Sequence, residues 1–160
     1  MKRLSAMLVL AGLAAGCASV PMASPELDRA AKEFRTTPGK SNLYVFRDET
    51  FGAAVKMTVL LDGRLFGDTS ASTFLLTSVE PGRHTLLSKT ENDAQLDFVA
   101  QPGSNVFVWQ EVKMGVLSAR SKLQLVDEAS AKARISTCKL AAGGGTPPAP
   151  PRAAAPVPGA

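Results

Sequence analysis

From Asn42 to Asp127 apolar and polar positions alternate with a period near two, the spacing of strands with one face buried. Leu43-Tyr44-Val45-Phe46 breaks the alternation, and four apolar residues in a row suit a strand in the interior. Val55, Met57, Val59 and Leu61 alternate with Lys56, Thr58 and Leu60; Asp62-Gly63 follows directly, a two-residue hairpin signal whose return strand runs from Arg64 to Gly67. Thr73 to Val79 is the next strand. Pro81-Gly82 is set for a type II turn, because proline presets the first central residue and glycine accepts the positive dihedral of the second. Strand His84 to Thr90 follows, then a turn at Asn92-Asp93, then Leu96 and Phe98 alternating with Gln95 and Asp97. Pro102-Gly103 repeats the turn device before Val106 to Val112, the longest aromatic and β-branched stretch, which holds the one tryptophan. Leu123 and Leu125 close the series, with Lys122 and Gln124 facing out. Short strands at fairly even intervals with no βαβ alternation predict a mainly β fold, an antiparallel β-sandwich of about seven strands.

A helical period brackets this core. Ser24-Pro25 reads as cap and first helical position, and Leu27, Ala30, Ala31 and Phe34 follow at three-to-four spacing until Thr36-Thr37-Pro38-Gly39 ends the helix. Its stripe is narrow, so it is expected to fray or dock loosely. Asp127-Glu128 opens a C-terminal helix with acid at its positive end, and Lys132, Arg134 and Lys139 fall toward the negative end. Ala131, Ile135 and Cys138 share one face, which places Cys138 against the sandwich, and Gly143-Gly144-Gly145 is the stop.

The N-terminus follows another pattern. Met1-Lys2-Arg3, an apolar run from Leu4 to Leu13 and a small-residue exit have the three parts of a secretory signal. A spanning helix needs about 20 apolar residues, so this run is too short to be one. Leu13-Ala14-Ala15-Gly16-Cys17 resembles the lipobox of bacterial lipoproteins, in which the thiol is alkylated by diacylglycerol and the cysteine becomes the new N-terminus; Ala14 stands where that class prefers leucine. The alternative is an ordinary signal peptide cut near Ala15 or Ala18. If Cys17 is the lipidation site, two or three acyl chains hold firmly where one would not. By resemblance to Gram-negative lipoproteins, Ala18 rather than Asp after the cysteine implies the outer membrane, facing the periplasm. The expected organisation is a signal peptide over 1–16, a lipid-anchored tether and short helix over 17–39, a β-sandwich with C-terminal helix over 40–141, and a disordered Pro/Ala-rich tail over 142–160. The tail's alternative role is a spacer or a contact with cell-wall or envelope proteins.

Composition narrows the function classes. The chain carries 18 basic and 14 acidic residues; loss of Lys2 and Arg3 with the leader leaves a mature chain near +2. The cations are scattered, with none of the stripes that bind phosphate backbones, so no nucleic-acid partner is expected. If Cys17 is acylated, Cys138 has no partner within the chain and is either a small buried apolar group or a thiol able to pair with another chain. The single histidine, His84, cannot assemble a metal site or a hydrolytic triad locally. In Pro81-Gly82-Arg83-His84-Thr85-Leu86 it reads as a strand-start residue hydrogen-bonded to backbone. Asp48-Glu49, Glu91 with Asp93, and Asp127-Glu128 are explained as solvated turn or helix-start carboxylates, and Gly143 to Gly145 precedes prolines rather than a helix, so it is no anion loop. No cofactor and no enzymatic activity are expected.

Two features invite a functional reading. Phe51-Gly52-Ala53-Ala54 and Met114-Gly115-Val116-Leu117 are apolar at strand connections where polar loops are the rule. Exposed, they form a partner- or membrane-facing patch; tucked in, they are core. Nearby, Arg47, Trp109, Glu111, Lys113 and Arg120 are candidates to line a polar groove with an aromatic floor that binds glycan or peptide, the alternative being the wet face of a sheet.

Asn42-Leu43-Tyr44-Val45-Phe46-Arg47, the strand and turn from Val55 to Gly63, Glu80-Pro81-Gly82-Arg83-His84-Thr85, and Asn105-Val106-Phe107-Val108-Trp109-Gln110-Glu111 together resemble bacterial lipoproteins that share the domain of unknown function 2846. The resemblance spans roughly residues 17 to 140. It implies a β-sandwich in the cell envelope and carries no reaction, cofactor or catalytic residue. The expectation is a non-enzymatic accessory anchored in the envelope by lipid on Cys17.

Overall fold

A computed structural model describes residues 19–143. The leader, Cys17 and the Pro/Ala-rich tail beyond residue 143 lie outside the described residues. The chain runs α1 (Pro25–Ala31), β1 (Ser41–Arg47), β2 (Met57–Leu61), β3 (Arg64–Thr69), β4 (Thr73–Val79), β5 (Gly82–Lys89), β6 (Asp93–Ala100), β7 (Ser104–Met114), β8 (Ala119–Leu125), α2 (Glu128–Ile135) and β9 (Lys139–Leu140). The strands form two sheets, β8-β7-β1-β4-β9 and β3-β2-β5-β6. The fold is the expected mainly β sandwich, with nine strands among the described residues where about seven are expected. The larger sheet is mixed rather than wholly antiparallel: β1 pairs parallel with β7, and β4 with β9.

Two apolar layers account for the sequence pattern. Leu43, Val45, Val59, Phe66, Leu75, Leu86, Phe98, Val108 and Leu123 fill the space between the sheets. Tyr44, Phe46, Phe74, Leu76 and Phe107 leave the other face of the larger sheet and meet Ala31, Ala131, Ile135 and Cys138. Hence β1 is apolar at every position from Leu43 to Phe46: it lies centrally in its sheet and is covered on both sides. The two Pro-Gly pairs mark where the chain changes sheet. Glu80 and Pro81 alone carry it from β4 to β5, and Gly82 already belongs to β5, so this corner bends between sheets rather than closing a type II turn. Asp62-Gly63 does form the tight β2–β3 hairpin, with both residues at positive φ (50° and 76°), the demand of a type I′ turn.

Four expectations need correction. First, the supposed tether is docked: Val20 is buried, Ala142 N–H donates to the Pro21 carbonyl at 2.8 Å, and Met22 bridges Ala141. This segment covers the outer side of β9, where an open edge would leave peptide groups unpaired. Second, α1 does not dock loosely. Tyr44 donates its hydroxyl proton to the Ala31 carbonyl at 3.0 Å, and Asp28 Oδ1 accepts the Leu140 N–H at 2.7 Å, while Leu27 and Phe34 pack on the aromatic layer. Third, α2 ends at Ile135, before Cys138. The Ser136 and Thr137 hydroxyls donate to the carbonyls of Ala133 and Arg134, and the chain then gains ladder bonds to β4 as β9. Cys138 is buried against the sheet as expected, from a turn rather than from the helix face. Fourth, Leu125 is exposed, because β8 is an edge strand that runs past the layer covering Leu123.

Candidate functional site

Register decides the fate of the proposed groove. Trp109, Glu111 and Lys113 alternate along β7 and point to the helix-bearing face; Arg120 stands opposite Lys113 on β8 and joins them there. Arg47 follows Phe46 by one residue and therefore points the other way. It is wholly buried, and its guanidinium donates to the carbonyls of Val55 (2.7 Å), Gly52 (2.6 Å) and Phe51 (3.3 Å). Burial pulls its pKa down, with Glu49 opposing. Arg47 clamps the loop after β1 and lines no groove.

Nor is the Trp109 ring an open floor. The Arg134 guanidinium lies 3.9 Å over it and 4.9 Å over Phe46, fixed there by a bidentate pair with Asp48 at 2.7 Å for both bonds. Glu49 sits beneath, its Oε1 accepting the Val112 N–H at 3.4 Å, and burial raises its pKa. Trp109 Nε1 and Glu49 Oε2 are buried without a formed hydrogen bond, although the indole N–H lies close enough to favour the carboxylate. Beyond Trp109 the face is wet: Glu111 pairs with Lys113 and accepts from Gln124 Nε2 at 2.7 Å, while Lys113, Arg120 and Lys122 are exposed.

His84 meets an acceptor at each ring nitrogen, Asp62 Oδ2 at 2.7 Å from Nδ1 and the Glu80 carbonyl at 2.8 Å from Nε2. With an acceptor at each nitrogen, this setting favours the doubly protonated imidazolium over the neutral ring. Burial lowers its pKa, but the bonds to Asp62 and Glu80 outweigh this and the net shift is upward. Asp62 Oδ1 also accepts the Thr85 N–H at 2.9 Å. This is a brace between the β2–β3 turn, β5 and the sheet-changing corner, and it presents no free base. Cys138 is a free, buried cysteine, and burial pushes its thiol up to about 11. Among the described residues no group of three or more His, Cys, Asp or Glu is placed to hold a metal ion, and no helix is long and apolar enough to cross a membrane.

The remaining feature is the end of the sandwich where β1 finishes and β4 begins, since Arg47 stands opposite Thr73 and β7 continues past Trp109 to Met114. Here the large apolar side chains of the two stretches are exposed, Phe51 at 52 %, Met114 at 78 %, Val116 at 89 % and Leu117 at 93 %, while Gly52 and Ala53 are half-buried. The tip is nevertheless held in one shape. Glu91, from the β5–β6 connection, accepts the backbone N–H groups of Val116 (2.9 Å), Leu117 (2.7 Å) and Ser118 (2.6 Å), which draws its pKa down. Gly115 permits the close turn, because a Cβ there would lie 2.0 Å from the Ser118 carbonyl oxygen. The alternation pattern reads Glu91 as a solvated turn residue; its partners lie 25 to 27 residues away, and no local spacing signals them. Ser19, the first described residue, lines a surface depression together with Ser70, Ala71 and Ser72, the β3–β4 turn at this same end.

A family model described as "Protein of unknown function (DUF2846)" matches residues 37–122. An uncharacterized protein of Haemophilus influenzae is 32% identical over 146 residues, covering 88% of this chain and 87% of that one. No solved structure matches.

Proposed function

This chain belongs to the DUF2846 family of proteins of unknown function, and since that description supplies no reaction, we propose from the chain's own residues that it is a non-enzymatic accessory of the bacterial envelope, anchored by lipid on Cys17. The leader from Lys2 to Gly16 and the Leu13-Ala14-Ala15-Gly16-Cys17 sequence support the anchor. The structural observation that supports the role is the burial of Val20, only three residues past Cys17. Three Cα steps of about 3.8 Å span at most about 11 Å, so an acylated Cys17 would hold the sandwich against the bilayer surface rather than on a long leash. Three titratable groups that could serve in catalysis are engaged structurally: His84 in its brace, Glu91 in the hairpin tip, Cys138 in the aromatic layer. Export with Ala18 after the cysteine favours the outer membrane, periplasmic side.

Metabolic labelling with palmitate tests the anchor. The wild-type chain takes up label and fractionates with membranes, and Cys17→Ala loses both; label retained in the variant would refute it. A glycan- or peptide-binding face around Trp109 is the second reading, supported by the exposed Lys113, Arg120 and Lys122 beside that residue. In that case Trp109→Ala abolishes pull-down of cell-wall fragments without lowering the melting temperature. The stacking of Arg134 on the indole favours the opposite result, a loss of stability.

A further inference from the structure

We infer that the β7–β8 hairpin tip, Met114 to Ser118, is a lipid-contacting wedge that seats in the interface of an anionic phospholipid bilayer. Three observations carry it. Met114, Val116 and Leu117 are among the most exposed large apolar side chains of the described chain, and they project from a tip that Glu91 and Gly115 hold rigid. Exposed apolar side chains grouped in this way mark a contact surface.

The second observation concerns the backbone. Moving a loop toward hydrocarbon is opposed by its unpaired peptide groups. The N–H groups of Val116, Leu117 and Ser118 already have an acceptor in the Glu91 carboxylate, so these three donors do not enter the interface unpaired. Third, Lys113 and Arg120 stand opposite each other at the base of the tip, with Lys122 opposite Glu111 one step along. Glu111 pairs with Lys113, and the Glu91 carboxylate stands near Arg120, so the three cations outnumber their two carboxylate neighbours by one. Their long stems can lie along apolar surface while the cations reach outward to headgroup phosphates. Apolar tip above, cations below: this order matches the acyl-to-headgroup order of an interface. Phe51 adds apolar surface at the same end, in the turn whose Gly52 packs on Val112 and Ala119. The orientation rests on the anchored reading above, since Ser19 shares a depression with the β3–β4 turn at this end.

The test uses the lipidated full-length mature chain, isolated from membranes and reconstituted in vesicles of phosphatidylcholine with phosphatidylglycerol. An environment-sensitive fluorophore is placed at Val116→Cys, at Leu117→Cys as a second tip position, and at Gln101→Cys on the opposite end; Cys138 is buried and does not compete. Nitroxide-labelled lipid is expected to quench the tip positions several-fold more than position 101, and less strongly when phosphatidylglycerol is omitted. Equal, weak quenching at all three in a chain that floats with the vesicles overturns the wedge and leaves the anchor standing. A chain that does not float counts against both. A blue shift at position 116 in detergent that grows with protein concentration shows a second copy on the tip, and also overturns the proposal.

Discussion

His84 shows how a single side chain reads differently once its neighbours are known. Its sequence position suggests a backbone-bonded strand residue, and the Glu80 carbonyl fulfils that; Asp62, 22 residues earlier, is invisible to local pattern. Because the folded-state pKa of His84 is raised, the bond stabilises fully below the ordinary imidazole value of about 6.5 and is lost as pH rises through the folded value. Asp62 is shifted the other way: desolvation raises its pKa, but the bonds to Thr85 and His84 together outweigh it and lower the pKa, so its contribution fades in acid. The melting-temperature gap between wild type and His84→Ala should therefore be widest at mildly acidic pH and shrink toward pH 8; a gap that widens there contradicts the brace. Arg47 shows the limit of strand-pattern reading. One residue of phase moves it from the outer face to the interior. Arg47→Met should cost about 2 to 4 kcal/mol in denaturant unfolding, by leaving the carbonyls of Gly52 and Val55 without their charged donor.

At the scale of elements, most strands are legible because the alternation is strong and the Asp62-Gly63 and Pro-Gly devices punctuate it. What is not legible is pairing. The sequence offers no reason for β1 to lie parallel to β7, since the contact exists only after the chain has passed through the other sheet and returned at Pro102-Gly103. The Ala131, Ile135 and Cys138 spacing suggests one helix, yet Lys139 and Leu140 gain more by pairing with β4 than by continuing α2. The same holds for the candidate site. Apolar residues at 114–117 are plain in the sequence, but the support from Glu91 is not. Gly115→Ala should force the tip open, because the new methyl would meet the Ser118 carbonyl. Amide exchange at 116–118 is expected to speed up at least tenfold while β1 and β4 amides stay protected. Unchanged exchange at the tip would mean that Glu91 does not hold it.

For the whole molecule, three layers set its orientation. Helices α1 and α2 cover one face of the larger sheet, the smaller sheet covers the other, and the strand connections at one end carry the exposed apolar tip. The docked segment from Val20 to Ala23 removes most of the slack that a flexible linker would provide, so an acyl group at Cys17 and the tip at Leu117 would act on one body. Everything in this picture depends on where the mature chain starts and what its first residue carries. Mass spectrometry of the N-terminal peptide from membrane-extracted protein measures both at once. The expected product begins at Cys17 and carries the mass of diacylglycerol, with or without a third acyl chain; an unmodified peptide, or one starting at any other residue, contradicts the account.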